Sequence, residues 1–104
     1  MSFVAINLLE VPPHMSATLE ERFAGRAGEV EKMDGFEAFE LLRPIEGSDR
    51  YLVYTRWDSK ESFEAWVNSP AFSRGHAQHA EGGPAATGSQ VWTFEVAQAK
   101  SRST

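Results

Sequence analysis

The sequence predicts an α+β fold of the ferredoxin-like type, with its elements in the order β-α-β-β-α-β. Three observations support this prediction. Four short segments are rich in β-branched and aromatic residues, two segments place apolar residues at helical spacing, and all six follow in the required order. Because a chain of 104 residues closes around one core, we expect one domain over residues 1–97 and a disordered tail over 98–104.

The first strand and the first helix are marked by their boundary residues. Residues 3–10 are predicted as a strand, which ends where two prolines follow in Val11-Pro12-Pro13. Ser16 can act as the N-cap of a helix over residues 17–32. The apolar positions of this helix repeat at helical spacing and are predicted to be buried: Leu19, Phe23, Ala27 and Val30.

Three further strands complete the predicted sheet. Met33-Asp34-Gly35 is typical of a turn, in which glycine can take a positive φ. Strand two covers residues 36–43 and strand three covers Tyr51–Trp57, with the turn-rich segment Pro44–Arg50 between them. Gln90–Val96 is the closing strand.

The second helix is predicted to be short and to be followed by a break. Asp58 or Ser59 caps a helix that carries three apolar residues on one face: Phe63, Trp66 and Val67. Asn68 is a natural stop, and Ser69-Pro70 is typical of a new N-cap and first helical position. We therefore expect a brief further helix over residues 71–79.

The predicted strands carry apolar residues on both faces of the sheet. In strand one, Val4, Ile6 and Leu8 alternate with Phe3, Ala5, Asn7 and Leu9. In this topology the helices cover one face, so the second apolar face needs a partner, because exposed patches of that size are rare on monomers. We therefore expect a face-to-face homodimer.

Composition excludes several classes of function. The chain has no cysteine, so disulfides, thiolate metal sites and cysteine nucleophiles are impossible. A net charge of −5 argues against a general nucleic-acid-binding protein, which would show a basic stripe. We expect neither export nor membrane spanning, because there is no leader-like segment and no long apolar run. The expected compartment is the cytoplasm.

Asn7 interrupts the apolar run of strand one and is predicted to face the helices. A buried carboxamide without a partner costs roughly 1–3 kcal/mol. In a structural interpretation its amide bonds a nearby main-chain group. In a functional interpretation its NH₂ group points into a ligand cavity between sheet and helices, where it donates without delivering a proton. The sequence leaves both interpretations open.

An indole and two imidazoles lie around the helix break. Trp66 follows Phe63 at i, i+3, a pair that is more often core than part of a cofactor site. His76 and His79 also lie at i, i+3. They form a weak zinc pattern that lacks a third ligand, and they can equally be solvated, but one of them suffices as the axial ligand of a haem iron. His14, in a proline-rich turn, is expected to be exposed.

Arg22 and Arg26 lie one helical turn apart and flank Phe23. Such a pair usually belongs to a solvated face, with nearby counter-charges at Glu20, Glu21 and Glu29. If the face borders a cavity, either guanidinium can pair with a ligand carboxylate. Gly82–Gly88 lacks the spacing of a phosphate-binding loop and is predicted to be a mobile rim.

Short motifs along most of the chain match a known family: Ile6-Asn7, Glu10-Val11-Pro12, Arg22-Phe23-Ala24 with Arg26, Gly35-Phe36, Leu41-Leu42-Arg43-Pro44, Arg50-Tyr51, Ala65-Trp66 and Ala86-Thr87-Gly88. With these motifs the chain resembles the IsdG-type bacterial haem-degrading monooxygenases of the antibiotic biosynthesis monooxygenase superfamily, in particular the mycobacterial member. The superfamily fold alone is a weak guide to function, because cofactor-free oxygenases share it. The combination of Asn7, Trp66 and His76 is more specific.

The resemblance implies a dimeric α+β barrel with haem bound between the sheet and the helices of each protomer. It implies that His76 is the axial ligand of the iron, that Asn7 lies near the oxygen on the opposite side, and that Trp66 presses on the porphyrin and puckers it. The implied haem-binding residues are Arg22, Phe23, Arg26, Trp66 and His76. Haem would be both cofactor and substrate, opened with O₂ and electrons from an external reductase, with release of iron.

Two alternatives to this function remain, together with one open residue assignment. The segment before His76 is one residue longer than in the mycobacterial member, which leaves His79 as a second candidate for the iron ligand. A cofactor-free monooxygenase of polycyclic phenols would use Asn7 and Trp66 to orient its substrate. A non-enzymatic haem carrier or sensor would bind haem in the same pocket without degrading it.

Overall fold

In the computed structural model, which describes residues 2–25, 30–70, 72 and 88–102, the strands form one antiparallel sheet. The strands are β1 (Phe3–Glu10), β2 (Phe36–Leu42), β3 (Tyr51–Trp57) and β4 (Gly88–Glu95), and the helices are α1 (Ser16–Ala24) and α2 (Lys60–Val67). The order across the sheet is β2-β3-β1-β4. This is the ferredoxin-like arrangement, so the predicted fold class is confirmed.

The strands lie close to their predicted positions. β1 and β3 begin and end as predicted, and β2 ends one residue early at Leu42. β4 begins two residues early at Gly88 and ends one residue early at Glu95. Gly35 precedes β2 with a φ of 83°, which confirms the predicted glycine turn. The carbonyl oxygen of Gly35 accepts the backbone N–H of Asp58 at 2.8 Å, so this turn is attached to the start of α2.

Helix α1 differs from its prediction at both ends. Ser16 was predicted as the N-cap, but it is the first helical residue and Met15 precedes the helix without a side-chain cap. A 3-10 helix, Pro13–Met15, leads directly into α1, and the carbonyl of Pro13 accepts the backbone N–H of Ser16. Ser16 already has helical dihedral angles, φ −58° and ψ −49°, so it lies inside the helix and not at the N-cap. The predicted helix over 17–32 is also wrong at its C-terminal end, because α1 ends at Ala24 and Val30–Lys32 is a 3-10 helix. Gly25, with its low helix propensity, directly follows α1.

Helix α2 has the predicted caps. The Oγ of Ser59 accepts the backbone N–H of Ser62 at 3.2 Å, and Asn68 lies at the C-cap. Ser69 then caps a new helical turn, since its Oγ accepts the N–H of Phe72 at 3.1 Å. The remainder of the helix predicted over residues 71–79 lies outside the described residues.

The helices and the sheet enclose two hydrophobic clusters. The aromatic cluster, beneath α2, has Phe3, Ala5, Trp57 and Trp66 as its buried members, with Val30, Met33, Phe36, Phe63, Val67 and Phe72 packed around them. The α1 cluster has Leu9, Leu19 and Tyr51 as its buried members, with Val11, Met15, Phe23, Leu41 and Val53 around them. Alternate residues of β1 therefore point toward the helices, as predicted from the sequence.

The opposite face of the sheet, called here the outer face, is also apolar. In β1 it presents Val4, Ile6 and Leu8, and the larger side chains around them remain exposed: Leu42, Trp92 and Phe94. Residues 97–102 contain neither helix nor strand and are exposed. The domain boundary at 97 and the disorder of the tail stay predictions. Within the described part of the chain, no helix is long and apolar enough to cross a membrane.

Candidate functional site

Where the two clusters meet, the helix-facing side of the sheet has a stretch that neither helix covers completely. Asn7 lies on β1 between Ala5, which belongs to the aromatic cluster, and Leu9, which belongs to the α1 cluster. We call this stretch the central band and define it by two cross-strand rows: Leu41, Val53, Asn7 and Val91, and beside them Phe39, Thr55, Ala5 and Thr93. Val91 is 56% exposed and Phe39 is 37% exposed. The central band is thus a largely apolar surface with one carboxamide near its middle.

The side chain of Asn7 has unused hydrogen-bonding capacity. Its Oδ1 is buried and has no hydrogen-bond partner among the described residues, although the residue as a whole is only half-buried. The structural interpretation, in which the amide bonds a nearby main-chain group, therefore finds no support at this atom. A buried polar atom without a partner costs free energy, and a bound ligand is one way to satisfy it. The other such side-chain atom among the described residues is Nε1 of Trp57, in the aromatic cluster.

Trp66 lies on the aromatic side of the central band. It is 9% exposed and makes an edge contact with the ring of Phe72, with ring centroids 5.6 Å apart at 86°. The prediction that Trp66 packs in the core is therefore confirmed. Because Ala5 belongs to the same cluster and precedes Asn7 on the same face of β1, the indole and the carboxamide border the same stretch of sheet. Contact of Trp66 with a ligand stays a prediction.

Phe23 and Arg22 lie on the other side, on α1. Phe23 packs against the α1 cluster, and its ring stacks on Phe39 of the central band with a centroid distance of 6.1 Å and an angle of 26°. Arg22 is half-buried. The structure therefore places Asn7, Trp66 and Phe23 around one stretch of sheet, although they are far apart in sequence.

The other predicted site residues are not all described. Arg26, His76, His79 and the segment 82–87 lie outside the described residues, so their predicted roles remain predictions. His14 is exposed within the 3-10 helix, as expected. In the described part of the chain, no group of three or more histidine, aspartate or glutamate side chains could hold a metal ion.

One polar cluster was missed in the sequence. Glu20 on α1 accepts hydrogen bonds from Arg43, which follows β2, and from the hydroxyl of Tyr51, which begins β3. The Nε of Arg43 lies 2.9 Å from the Oε2 of Glu20. Bonds from Arg43 and Tyr51 lower the pKa of Glu20 to about 2, and the carboxylate raises the pKa of Arg43. Glu20 was predicted as a counter-charge of Arg22 and Arg26. Among the described residues it pairs with Arg43, and Arg26 lies outside them.

An open depression of about 400 Å³ lies elsewhere, between the Val30–Lys32 turn and α2. Its lining residues are Lys32, Met33, Asp34, Glu61, Ser62 and Ala65. None of these is a predicted site residue. The central band therefore remains the candidate site.

Comparison with known proteins gives one family. The sequence model of the family described as antibiotic biosynthesis monooxygenase matches residues 2–78. A Mycobacterium tuberculosis protein named heme oxygenase (mycobilin-producing) is 49% identical over 96 residues, which are 92% of this chain and 90% of that protein. A heme-degrading monooxygenase of Bacillus thuringiensis is 34% identical over 76 residues, 71% of this chain and 70% of that protein.

A solved structure shows the same relationship in three dimensions. It is described as the heme-degrader MhuD from Mycobacterium tuberculosis with two hemes bound in its active site. It superimposes with a TM-score of 0.82 at 46% sequence identity, over 95% of this chain and 99% of that one. The resemblance inferred from the short motifs is thus confirmed.

Proposed function

The chain belongs to the antibiotic biosynthesis monooxygenase family, and we propose that it is a haem-degrading monooxygenase. It binds haem, opens the porphyrin oxidatively with O₂ and an external reductant, and releases the iron. The observation that supports this most strongly is the carboxamide of Asn7, whose buried Oδ1 has no partner among the described residues, in the apolar central band of a chain 49% identical to a haem oxygenase.

The described residues fit such a substrate. Haem is flat and largely apolar, and the central band offers an apolar surface across the strands of the sheet, bordered by aromatic side chains on both sides. Asn7 is neutral, so it stays a hydrogen-bond donor at any working pH and delivers no proton of its own. Arg22 and Arg26 are suited to the two propionate carboxylates of haem, because guanidinium groups bind carboxylates through paired hydrogen bonds.

Each proposed residue has a separate task. Haem supplies the iron at which O₂ is reduced, and the porphyrin is the group that is oxidised. The imidazole of His76, with His79 as the alternative, would hold the haem iron. Asn7 would donate an N–H to the oxygen that reacts with the porphyrin. Trp66 and Phe23 exclude water and hold the macrocycle from opposite ends of the central band.

Electrons come from outside the chain. Without cysteine, the protein has no thiol pair that could be oxidised in each cycle, so turnover needs an external donor such as a reductase. The absence of cysteine also fits a reducing compartment, and we place the enzyme in the cytoplasm.

The working unit is a homodimer that buries the outer face. Trp92 and Phe94 are 47% and 46% exposed there, beside Leu42 at 39%. Two aromatic residues and a leucine around an apolar strand form the kind of patch that soluble proteins cover with a partner. Replacing Trp92 with Lys is expected to convert a dimer to a monomer in analytical ultracentrifugation, and a wild-type monomer contradicts the assignment.

The proposed function is tested by titrating the purified protein with hemin. We expect a sharp, shifted Soret band that His76→Ala abolishes and that the matched variant His14→Ala, at an exposed position, leaves unchanged. Addition of ascorbate in air should bleach the bound band and release iron to a chelator.

The other outcomes identify the alternatives. Free-hemin behaviour of the wild-type protein contradicts the proposal, and oxygen uptake with a polycyclic phenol would then indicate a cofactor-free monooxygenase. Stable hemin binding without bleaching under reductant would indicate a carrier or sensor.

A further inference from the structure

Helix α1, which forms one side of the central band, is attached to the sheet by few buried groups. Of its nine residues, Leu19 alone is classed as buried. A helix that presents a broad apolar stripe is held by packing, but a helix with one buried leucine needs further contacts to fix its position. The polar cluster at Glu20 is adjacent to that leucine.

The cluster joins three elements through one carboxylate. Arg43 donates from Nε and Nη2 to the two oxygens of Glu20, a paired geometry with good directionality. The hydroxyl of Tyr51 donates to Oε2 of the same carboxylate. Tyr51 is 3% exposed and packs in the α1 cluster with Leu9 and Leu19, so its side chain is held in place by the core. α1 is thereby tied to the end of β2 and the beginning of β3.

The exposure of these groups indicates what the cluster contributes. The side chain of Arg43 is 70% exposed and that of Glu20 is 31% exposed. Ion pairs this accessible to water add little to the free energy of unfolding. Three directional bonds on one carboxylate can nevertheless fix where a lightly packed helix lies.

The position of α1 affects the candidate site directly. Arg22 and Phe23 follow Glu20 by two and three residues on the same helix, and Phe23 stacks on Phe39 of the central band. A shift of α1 would therefore move this side of the band relative to Asn7.

We infer that Glu20, Arg43 and Tyr51 form a positioning cluster that sets the distance of α1 from the sheet, and with it the fit of haem over the central band. This inference rests on the proposed function. None of the three residues needs to touch the substrate, so they are positioning residues.

The test compares Glu20→Gln with Glu37→Gln in the full-length protein. Glu37 is the matched control, because its carboxylate also binds an arginine, Arg56 at 3.0 Å, but on β2 rather than on α1. We expect Glu20→Gln to raise the dissociation constant of hemin roughly tenfold, since small displacements of a binding wall are costly, and to shift the Soret band. Glu37→Gln should behave as wild type in both measurements.

Two further variants separate position from charge. Tyr51→Phe keeps the buried ring and removes only the hydroxyl, and Arg43→Lys keeps the charge and removes the paired geometry. Both should fall between wild type and Glu20→Gln in hemin affinity. In the apoprotein, amide hydrogen exchange of α1 should be faster in Glu20→Gln while that of α2 is unchanged.

Each outcome has a distinct meaning. If wild type does not bind hemin, the proposed function fails and this inference fails with it. If wild type binds hemin and Glu20→Gln binds it with the same affinity and spectrum, the positioning inference alone is overturned, whatever the exchange rates of α1. Weaker binding in Glu20→Gln with a wild-type Glu37→Gln supports it.

Discussion

The two ends of the helix-facing surface are built by different means. Under α2, Trp57 is fully buried, with the rings of Phe36 and Phe63 at 5.5 and 6.1 Å in edge-on contacts. Under α1, the helix buries one leucine and is tied to the strands by the bonds of Glu20. The end under α2 is a packed core, whereas the end under α1 combines one buried leucine with a hydrogen-bonded carboxylate. The central band, in which Oδ1 of Asn7 has no partner among the described residues, lies where the dense packing stops.

This difference shows how a small fold can support a binding site. Continuous packing over the whole sheet would stabilise the protein and leave no surface for a ligand. We expect the aromatic end to supply most of the stability and the α1 end to supply adaptable geometry, in line with the tendency of binding elements to be locally less stable.

The largest loss of stability is expected from a substitution at Trp57. Trp57→Ala removes a side chain with 0% exposure and should lower the free energy of unfolding by about 3–5 kcal/mol, because the surrounding rings cannot close the cavity. Urea denaturation measures this loss. Ile45→Ala is the control, since Ile45 is 94% exposed and its loss should be small. A comparable loss in both variants would contradict the proposed division of the sheet.

The next largest loss of stability is expected in the Gly35 turn, which is attached to the start of α2. In Gly35→Ala the new Cβ would lie 2.2 Å from the Oγ of Ser62 and 2.4 Å from Oδ1 of Asp58, at a φ of +83°. Ser62 and Asp58 are hydrogen-bonded to each other at 2.6 Å, so they cannot move apart freely.

Gly47 offers a matched control for this variant, with a φ of +86° and no atom within 4 Å of an added Cβ. The free energy of unfolding of Gly47→Ala should therefore fall only by the roughly 1–2 kcal/mol that alanine costs in the left-handed conformation. That of Gly35→Ala should fall clearly more. Thermal unfolding of the two variants gives the comparison. Equal losses would show that the turn is not packed against α2 as described.

A smaller, pH-dependent effect is expected at the α1 end. Arg43 and Tyr51 lower the pKa of Glu20 from 4.5 to about 2. A carboxyl with a lowered folded-state pKa stabilises the fold above its unfolded pKa, and this contribution is lost as the pH falls through the folded value. The difference in unfolding free energy between wild type and Glu20→Gln should thus be constant above pH 4.5 and vanish near pH 2.

Urea denaturation at a series of pH values measures this dependence, with Glu21→Gln as the control at an exposed neighbouring position. A difference between wild type and Glu20→Gln that persists unchanged at low pH would mean that it does not come from the ionised carboxylate of Glu20 and its bonds to Arg43 and Tyr51.

Local patterns predicted much of this fold. The boundaries of β1 and β3, the turn at Gly35 and the caps at Ser59 and Ser69 depend on neighbouring residues, and the structure confirms them. The predicted start of α1 was wrong by one residue, because the preceding 3-10 helix binds the N–H of Ser16 and gives that residue helical dihedral angles.

The site could be predicted only in part. Asn7 was singled out because an amide in an apolar run is visible in the sequence, but whether that amide has a partner depends on the fold. The cluster at Glu20 was missed because its partners are 23 and 31 residues away and no local pattern links them. Its residues appear in the sequence as ordinary surface charges and a core tyrosine.

The most direct test of the account is Asn7→Ala. Because Oδ1 of Asn7 has no partner in the described structure, its removal should leave the free energy of unfolding unchanged or raise it by up to about 1 kcal/mol. Hemin binding should persist, while bleaching with ascorbate in air should slow by roughly 100-fold, the usual effect of losing one placed donor. Asn68→Ala, at the C-cap of α2, serves as the control. A destabilised Asn7→Ala variant that bleaches haem at the wild-type rate would show that Asn7 is structural and contradict the account.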